Sequence, residues 1–161
     1  MQPEYLETQS NRKIAYYKTE GKGPTVVFLG GFKSEMAGSK ATFLESWAER
    51  VGHAYVRLDY SGHGLSSGSF TDGCIGDWLE DAQSVIEHAT HGPLILIGSS
   101  MGGWIALLLA KKMRQRIVAL MTIAAAPDFT EEGFWSNFSE AQKNEILING
   151  VTYLPSEYGD P

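Results

Sequence analysis

Two apolar periods take turns along the chain. Residues 25–29, 54–59, 93–97 and 117–124 are short runs with little polar interruption, the pattern of strands buried on both faces. Between them apolar residues recur at three- and four-residue intervals: Phe43, Leu44, Trp47, Ala48 and Val51, then Ile75, Leu79, Ala82, Ile86 and Ala89, then the stretch 101–113. That spacing predicts helices, the first with Ser39 placed to cap it. Residues 5–8 and 13–18 flank Ser10-Asn11-Arg12 and predict a hairpin, which Gly21-Lys22-Gly23-Pro24 separates from the run 25–29. Strand and helix alternate at least three times, so the expected architecture is three-layer α/β, a mostly parallel sheet with right-handed crossovers and an antiparallel N-terminal hairpin. Ligands of such sheets bind beyond the carboxyl ends of the strands, so Gly30, Asp59, Ser100 and Pro127 are expected to face one crevice.

The most specific chemistry lies at the end of the run 93–97. Gly98-Ser99-Ser100-Met101-Gly102 joins that strand to the helix-like stretch, the strand–turn–helix setting of a G-x-S-x-G nucleophile elbow. A serine at the centre of so sharp a turn is tolerated only beside small residues, and glycine stands at 98, 102 and 103. Ser100 is therefore the candidate nucleophile; moving the register by one, to test Ser99, puts Met101 where glycine is needed. A nucleophilic serine also needs donors for the oxyanion it creates. In this arrangement one is the backbone N–H of the following residue, Met101, and the other comes from the loop after an earlier strand. Gly30-Gly31-Phe32 suits that second position, with the N–H of Phe32 as donor.

Length and charge narrow the class. The 161 residues, 43% hydrophobic, suffice for one packed domain, and a formal charge of −6 argues against a nucleic-acid or anionic-membrane surface. The one basic cluster, Lys111, Lys112, Arg114 and Arg116, falls at a predicted helix end, where the dipole favours it. A single cysteine, Cys74, fits a reducing compartment, and neither a targeting segment nor an apolar run long enough for a bilayer is visible, so a cytoplasmic location is the expectation. No metal-type Cys/His spacing occurs, and no cofactor is implied.

Taken together, Gly30-Gly31-Phe32, the turn Asp59-Tyr60-Ser61-Gly62-His63-Gly64-Leu65-Ser66 and the elbow 98–102 resemble the oxyanion loop, the D-x-x-G-x-G-x-S turn and the nucleophile elbow of the alpha/beta hydrolase superfamily, over nearly the whole chain. One departure is Gly30, where the superfamily usually has histidine. Within the superfamily, 28–34 and 98–104 are most similar to the group containing the mitochondrial protein depalmitoylase and acyl-glucuronide esterase with its bacterial relatives. The resemblance implies a small-molecule carboxylic ester or thioester as substrate and an acyl-enzyme on Ser100 with Phe32 and Met101 forming the oxyanion hole.

What the chain lacks matters as much. The superfamily's triad runs Ser, acid, His in chain order, yet no histidine follows His91. His63 belongs to the 59–66 turn and reads as structural, while His53, His88 and His91 fall at helix ends or loops away from the elbow, where solvent exposure is expected. Asp128 follows the run 117–124 and is expected to cap the segment after it. The expectation is therefore an alpha/beta hydrolase whose last strands are missing: residues 1–130 as the N-terminal part of the core and 131–161 as the start of a cap, with Phe134, Trp135, Phe138, Ile146 and Leu147 lying over Ser100. By this reading the catalytic histidine and acid lie outside the sequence and the chain alone is nearly inactive. The alternatives are a non-catalytic binding module on the same fold, or another reaction of the fold such as a peptidase or lyase.

Overall fold

The computed structural model describes residues 2–154; expectations placed on Pro155 and on 158–161 lie outside them. Six strands form one sheet in the order β1-β2-β4-β3-β5-β6: β1 (Glu4–Glu7), β2 (Lys13–Thr19), β3 (Lys22–Leu29), β4 (His53–Leu58), β5 (Leu94–Ser99) and β6 (Ile117–Ile123). β1, β2 and β4 pair antiparallel, whereas β4, β3, β5 and β6 run parallel to their neighbours. The hairpin turns at Asn11, whose φ of 57° is a conformation asparagine tolerates better than most residues. Gly21 lies in the break between β2 and β3, as expected, whereas Lys22, Gly23 and Pro24 already belong to β3, whose register shifts between Lys22 and Val26.

Helices cover both faces. α2 (Ile75–Ala89) and α3 (Met101–Lys112) pack on one side, closing a core of Ile14, Val27, Leu29, Val56, Leu96, Ile86, Ile105 and Leu109. α1 (Ser39–Val51) covers the other side with a smaller cluster of Val26, Phe28, Ala41, Ala48, Tyr55 and Ile97. Two details of α1 differ from the expectation. Its N-cap is Gly38, one residue before Ser39, without a side-chain cap, and it buries Ala41 and Ala48, with Leu44 and Trp47 half-buried beside them and Phe43 and Val51 exposed. The small residues face the sheet because they let the helix approach it closely.

A buried ion network ties the hairpin to the helix behind the site. Asp81 on α2 is fully buried; its carboxylate accepts from Arg12 Nε (2.8 Å) and from Ser61 N and Oγ (2.9 and 2.7 Å), and Arg12 also reaches Glu80 and Asp77. Both oxygens of the buried carboxylate are thus engaged, the condition under which a buried charge is tolerated.

β6 departs most from its pattern. Its apolar run predicts burial on both faces, but β6 is an edge strand of the described sheet, and Val118, Met121 and Ile123 are exposed, the first two by 60% and 58%. With Phe43, Leu44 and Ile97, Met121 and Ile123 line an apolar groove beside α1. After β6 come a π-helical turn, Phe129–Phe134, and α4 (Glu140–Asn149), capped by a Ser139/Gln142 capping box and burying none of its residues. Among the described residues no helix is long and apolar enough to cross a membrane.

Wet apolar surface costs about 25 cal/mol per Å² and leaves an edge strand able to pair with other chains. The 161-residue chain is therefore expected to bind a hydrophobic dye such as ANS and to self-associate, and the double substitution V118K/M121K to reduce both. A monodisperse monomer that ignores the dye contradicts this.

Candidate active site

Ser100 stands between β5 and α3 with φ 53° and ψ −121°, a backbone conformation that only glycine adopts freely. The turn is over-determined from three sides. The Ser100 N–H donates to the Ile123 carbonyl (2.9 Å), and its own carbonyl accepts from Gly103 and Ala126 (2.9 and 3.2 Å). The glycines around it are dictated by contact: a Cβ at Gly102 would land on the carbonyls of Leu29 and Gly30, and one at Gly98 on the backbone of Gly102 and Gly103. Strand, oxyanion loop and helix converge so tightly that no side chain fits between them.

A cavity of about 420 Å³ opens over the serine, lined by Gly31, Phe32, Ser34, Lys40, Ser99, Ser100, Ala126, Phe129 and Phe134. Gly31 and Phe32 bring the loop after β3 against the elbow, and a Cβ at Gly31 would lie 3.3 Å from that of Ser100. The loop turns through Lys33, at φ 53°, with Ser34 N–H donating to Gly31 O (3.1 Å). Neither the Phe32 nor the Met101 N–H donates to any group among the described residues; both are free donors beside Ser100. Phe32 itself is held by rings, edge-on to Phe70 (4.8 Å), Trp78 (6.2 Å) and Phe129 (5.6 Å).

The four histidines stay away from this cavity. His63 is buried in the 59–66 turn among Tyr60, Phe70 and Trp78. Its Nδ1 lies 3.1 Å from the Ser61 carbonyl, which can only accept; Nδ1 therefore carries the proton, and the buried Nε2 has no partner. Burial pushes its pKa below the ordinary imidazole value of 6.5, with the Ser61 carbonyl, Asp59 and Asp81 pulling the other way. His53 is not the exposed residue expected: it stacks on Trp47 (5.6 Å) with Nδ1 buried. His88 and His91 are exposed.

Other expectations need correction too. Ser100 lines the cavity and Gly30 a pocket beside it, but Pro127 lines neither, Ala126 standing there instead, and Asp59 is buried, each of its carboxylate oxygens taken by a backbone N–H, those of Met36 and Leu65. Asp128 caps the π-helical turn with its carbonyl, which accepts from Glu131 and Glu132, not with its side chain. Of the aromatic tail only Phe134 lines the cavity; Trp135 and Phe138 pack on each other, Phe138 also on Phe134, and α4 holds Leu147 exposed. Phe129 and Lys40 line the cavity without having been singled out from the sequence. Phe129 falls in a turn without period, and Lys40 in a helix whose polar positions read as solvated surface.

A strand–elbow–helix carrying a strained serine, beneath a glycine-rich loop with a free N–H and on a mostly parallel three-layer sheet, defines an alpha/beta hydrolase. The match to a family model bears this out: residues 22–147 match the family described as serine aminopeptidase, S33, and the chain belongs to it. Among known proteins it is similar to the mitochondrial palmitoyl-protein thioesterase ABHD10 of Rattus norvegicus, 38% identical over 154 residues, 96% of this chain and 52% of that protein. Two solved structures superpose closely. A putative hydrolase from Agrobacterium vitis S4 has TM-score 0.90 and 35% identity, covering 99% of this chain and 66% of that one. Mouse alpha/beta hydrolase domain-containing protein 10 has TM-score 0.89 and 34% identity, covering 98% and 63%. The chain spans about half the length of the curated relatives it matches.

Two outcomes are expected of this geometry. Backbone strain at Ser100 is of order 1–3 kcal/mol, which glycine relieves and alanine does not, so by thermal or urea unfolding Ser100→Gly is expected to be about 1 kcal/mol more stable than Ser100→Ala; equal stability contradicts the strain. For His63, the unfolded ring takes up a proton near pH 6.5 and the buried one only at lower pH, so the unfolded chain binds more protons in between. The stability contributed by the neutral ring is complete above pH 6.5 and is lost as pH falls below it. Tm should therefore drop between about pH 7.5 and 5, and less steeply for His63→Gln; identical slopes contradict the assignment.

Proposed function

We propose that the chain carries the nucleophile half of a serine hydrolase that cleaves carboxylic esters or thioesters. Ser100 Oγ attacks the acyl carbon; the carbonyl oxygen becomes an oxyanion held by the N–H groups of Phe32 and Met101; collapse expels the alcohol or thiol with a proton, and water then cleaves the acyl-serine. The observation that carries the reading is a serine held in a strained turn beside two N–H groups, those of Phe32 and Met101, that bond no described residue, an arrangement that costs stability. The name of the rat relative, a palmitoyl-protein thioesterase, supports the substrate class. The rings of Phe32, Phe129 and Phe134 support an apolar acyl chain.

The family's description as an aminopeptidase makes peptides the second reading. Such an enzyme must hold a substrate ammonium, which calls for a carboxylate. The charged group lining this cavity, among the described residues, is Lys40, and that favours the ester over the free amine.

None of the four histidines lines the cavity of Ser100, so the described residues supply no histidine base for the Oγ proton. Without a base, oxyanion donors and binding alone leave roughly 10³- to 10⁴-fold acceleration over water. The 161-residue chain is expected to hydrolyse p-nitrophenyl esters at that low level, and added imidazole to raise the rate through Ser100. Ser100→Ala should abolish the imidazole-dependent part above the solution reaction, and Ser99→Ala should retain most of it. Equal rates with Ser100→Ala sink the assignment; full turnover without imidazole would show that a histidine of the chain serves as base after all.

A further inference from the structure

The 59–66 turn that accompanies the elbow takes no direct part in the chemistry above, yet its contacts run to the oxyanion loop. The loop 30–36 leaves β3 and must hold the Phe32 N–H still, because a donor stabilises an oxyanion only where it is already in place. Loops held by few contacts open easily. This one is fastened at both ends by groups from the end of β4. At the near end Tyr60 Oη donates to the Gly30 carbonyl (3.2 Å); burial, with Asp81 nearby, raises the Tyr60 pKa, so the hydroxyl stays a donor. At the far end both polar groups of Met36 are gripped. Its N–H donates to Asp59 Oδ1 (2.6 Å), and its carbonyl accepts from Arg57 Nη1 (2.7 Å).

The grip is itself braced. Arg57 is held by Glu45 through two bonds (3.1 and 2.7 Å) and lies over the Tyr17 ring (4.1 Å). The second oxygen of Asp59 accepts from Leu65 N (2.9 Å), and Ser66 Oγ donates to the Asp59 carbonyl (2.6 Å). Gly64, at φ 44°, is where the carboxylate seats: a Cβ there would collide with Asp59 Oδ2. The aspartate, second glycine and serine of D-x-x-G-x-G-x-S are thereby accounted for by one task. Charge-assisted hydrogen bonds of this kind are roughly twice as strong as neutral ones, and burial keeps water from competing.

We propose that Asp59, Arg57 and Tyr60 are positioning residues for the oxyanion hole: they fix the loop 30–36 at Gly30 and Met36, so that the Phe32 N–H stands ready beside Ser100. The catalytic half of this proposal rests on Ser100 being the nucleophile; the mechanical half does not, and the two are read separately.

Amide hydrogen exchange followed by mass spectrometry reads the mechanical half on the 161-residue chain. Asp59→Asn should speed exchange of the 30–36 segment at least tenfold while leaving α3 unchanged. Tyr60→Phe, which removes a single hydroxyl, should do the same to a smaller extent if Asp59→Asn does not fold. The catalytic half is read as imidazole-dependent acylation through Ser100. Removing an oxyanion donor costs ~10²- to 10³-fold, so a loosened donor should cost at least tenfold in maximal rate, with half-saturation by ester unchanged within twofold. Thr90→Val, at the opposite end of the sheet, controls for lost stability and should leave the maximal rate intact. Unchanged exchange in the loop, exchange raised evenly through the whole chain, or a loosened loop with the wild-type maximal rate each overturns the proposal. A loosened loop in a protein whose wild type shows no Ser100 acylation overturns the Ser100 reading instead and leaves the mechanical clamp standing.

Discussion

The backbone at Ser100 is the constraint that shapes everything around it. A residue with a side chain is kept at φ 53° and ψ −121° only because three elements press on the turn at once: Leu29 and Gly30 against Gly102, Ile123 through its carbonyl, and Ala125 against Gly103. Relaxing any of them would let the serine return to an ordinary conformation. β3, β5 and β6 must therefore end at the same level and in parallel, and that common level forms the floor of the cavity. The strain is local, of order 1–3 kcal/mol, and is sustained by a core many times larger.

Charge is used beneath this floor to hold the loops that the sheet does not reach. Asp81 joins Arg12 on the hairpin to Ser61, and the Ser61 carbonyl receives both Trp78 Nε1–H and His63 Nδ1–H. One turn away, Asp59 and Arg57 grip Met36. Apart from His63 Nε2, these are buried polar groups with satisfied partners, the kind that fix one arrangement among several equally well-packed ones. The rings of Phe70 and Trp78 carry that order to Phe32.

Much of this was legible in the residues, unevenly. The strands and the elbow could be read because β3 and β5 are apolar on both faces and because glycine is forced wherever backbones meet, as at Gly98 and Gly102. The hairpin followed from the turn residues around Asn11. The cavity wall was harder. Phe129 sits in a π-helical turn that no period describes, and Lys40 looked like any surface cation. β6 shows what an apolar run reports: the partners a strand is made for, and with a partner on one side only among the described residues it stands as an exposed edge. Asp59 misled because a residue just past a strand end is expected to face the crevice, whereas backbone N–H groups take both its oxygens beneath it.

If the strained turn singles out one hydroxyl, that of Ser100, as the nucleophile, then peptide mapping by mass spectrometry after reaction of the chain with an alkyl fluorophosphonate in imidazole buffer reads it directly. The expected result is a single phosphonyl adduct, on the peptide containing Ser100 and at that residue, formed faster than adducts on any other serine, tyrosine or lysine. An adduct on Ser99, or adducts spread over surface hydroxyls with Ser100 unmodified, would show that the turn does not select its nucleophile.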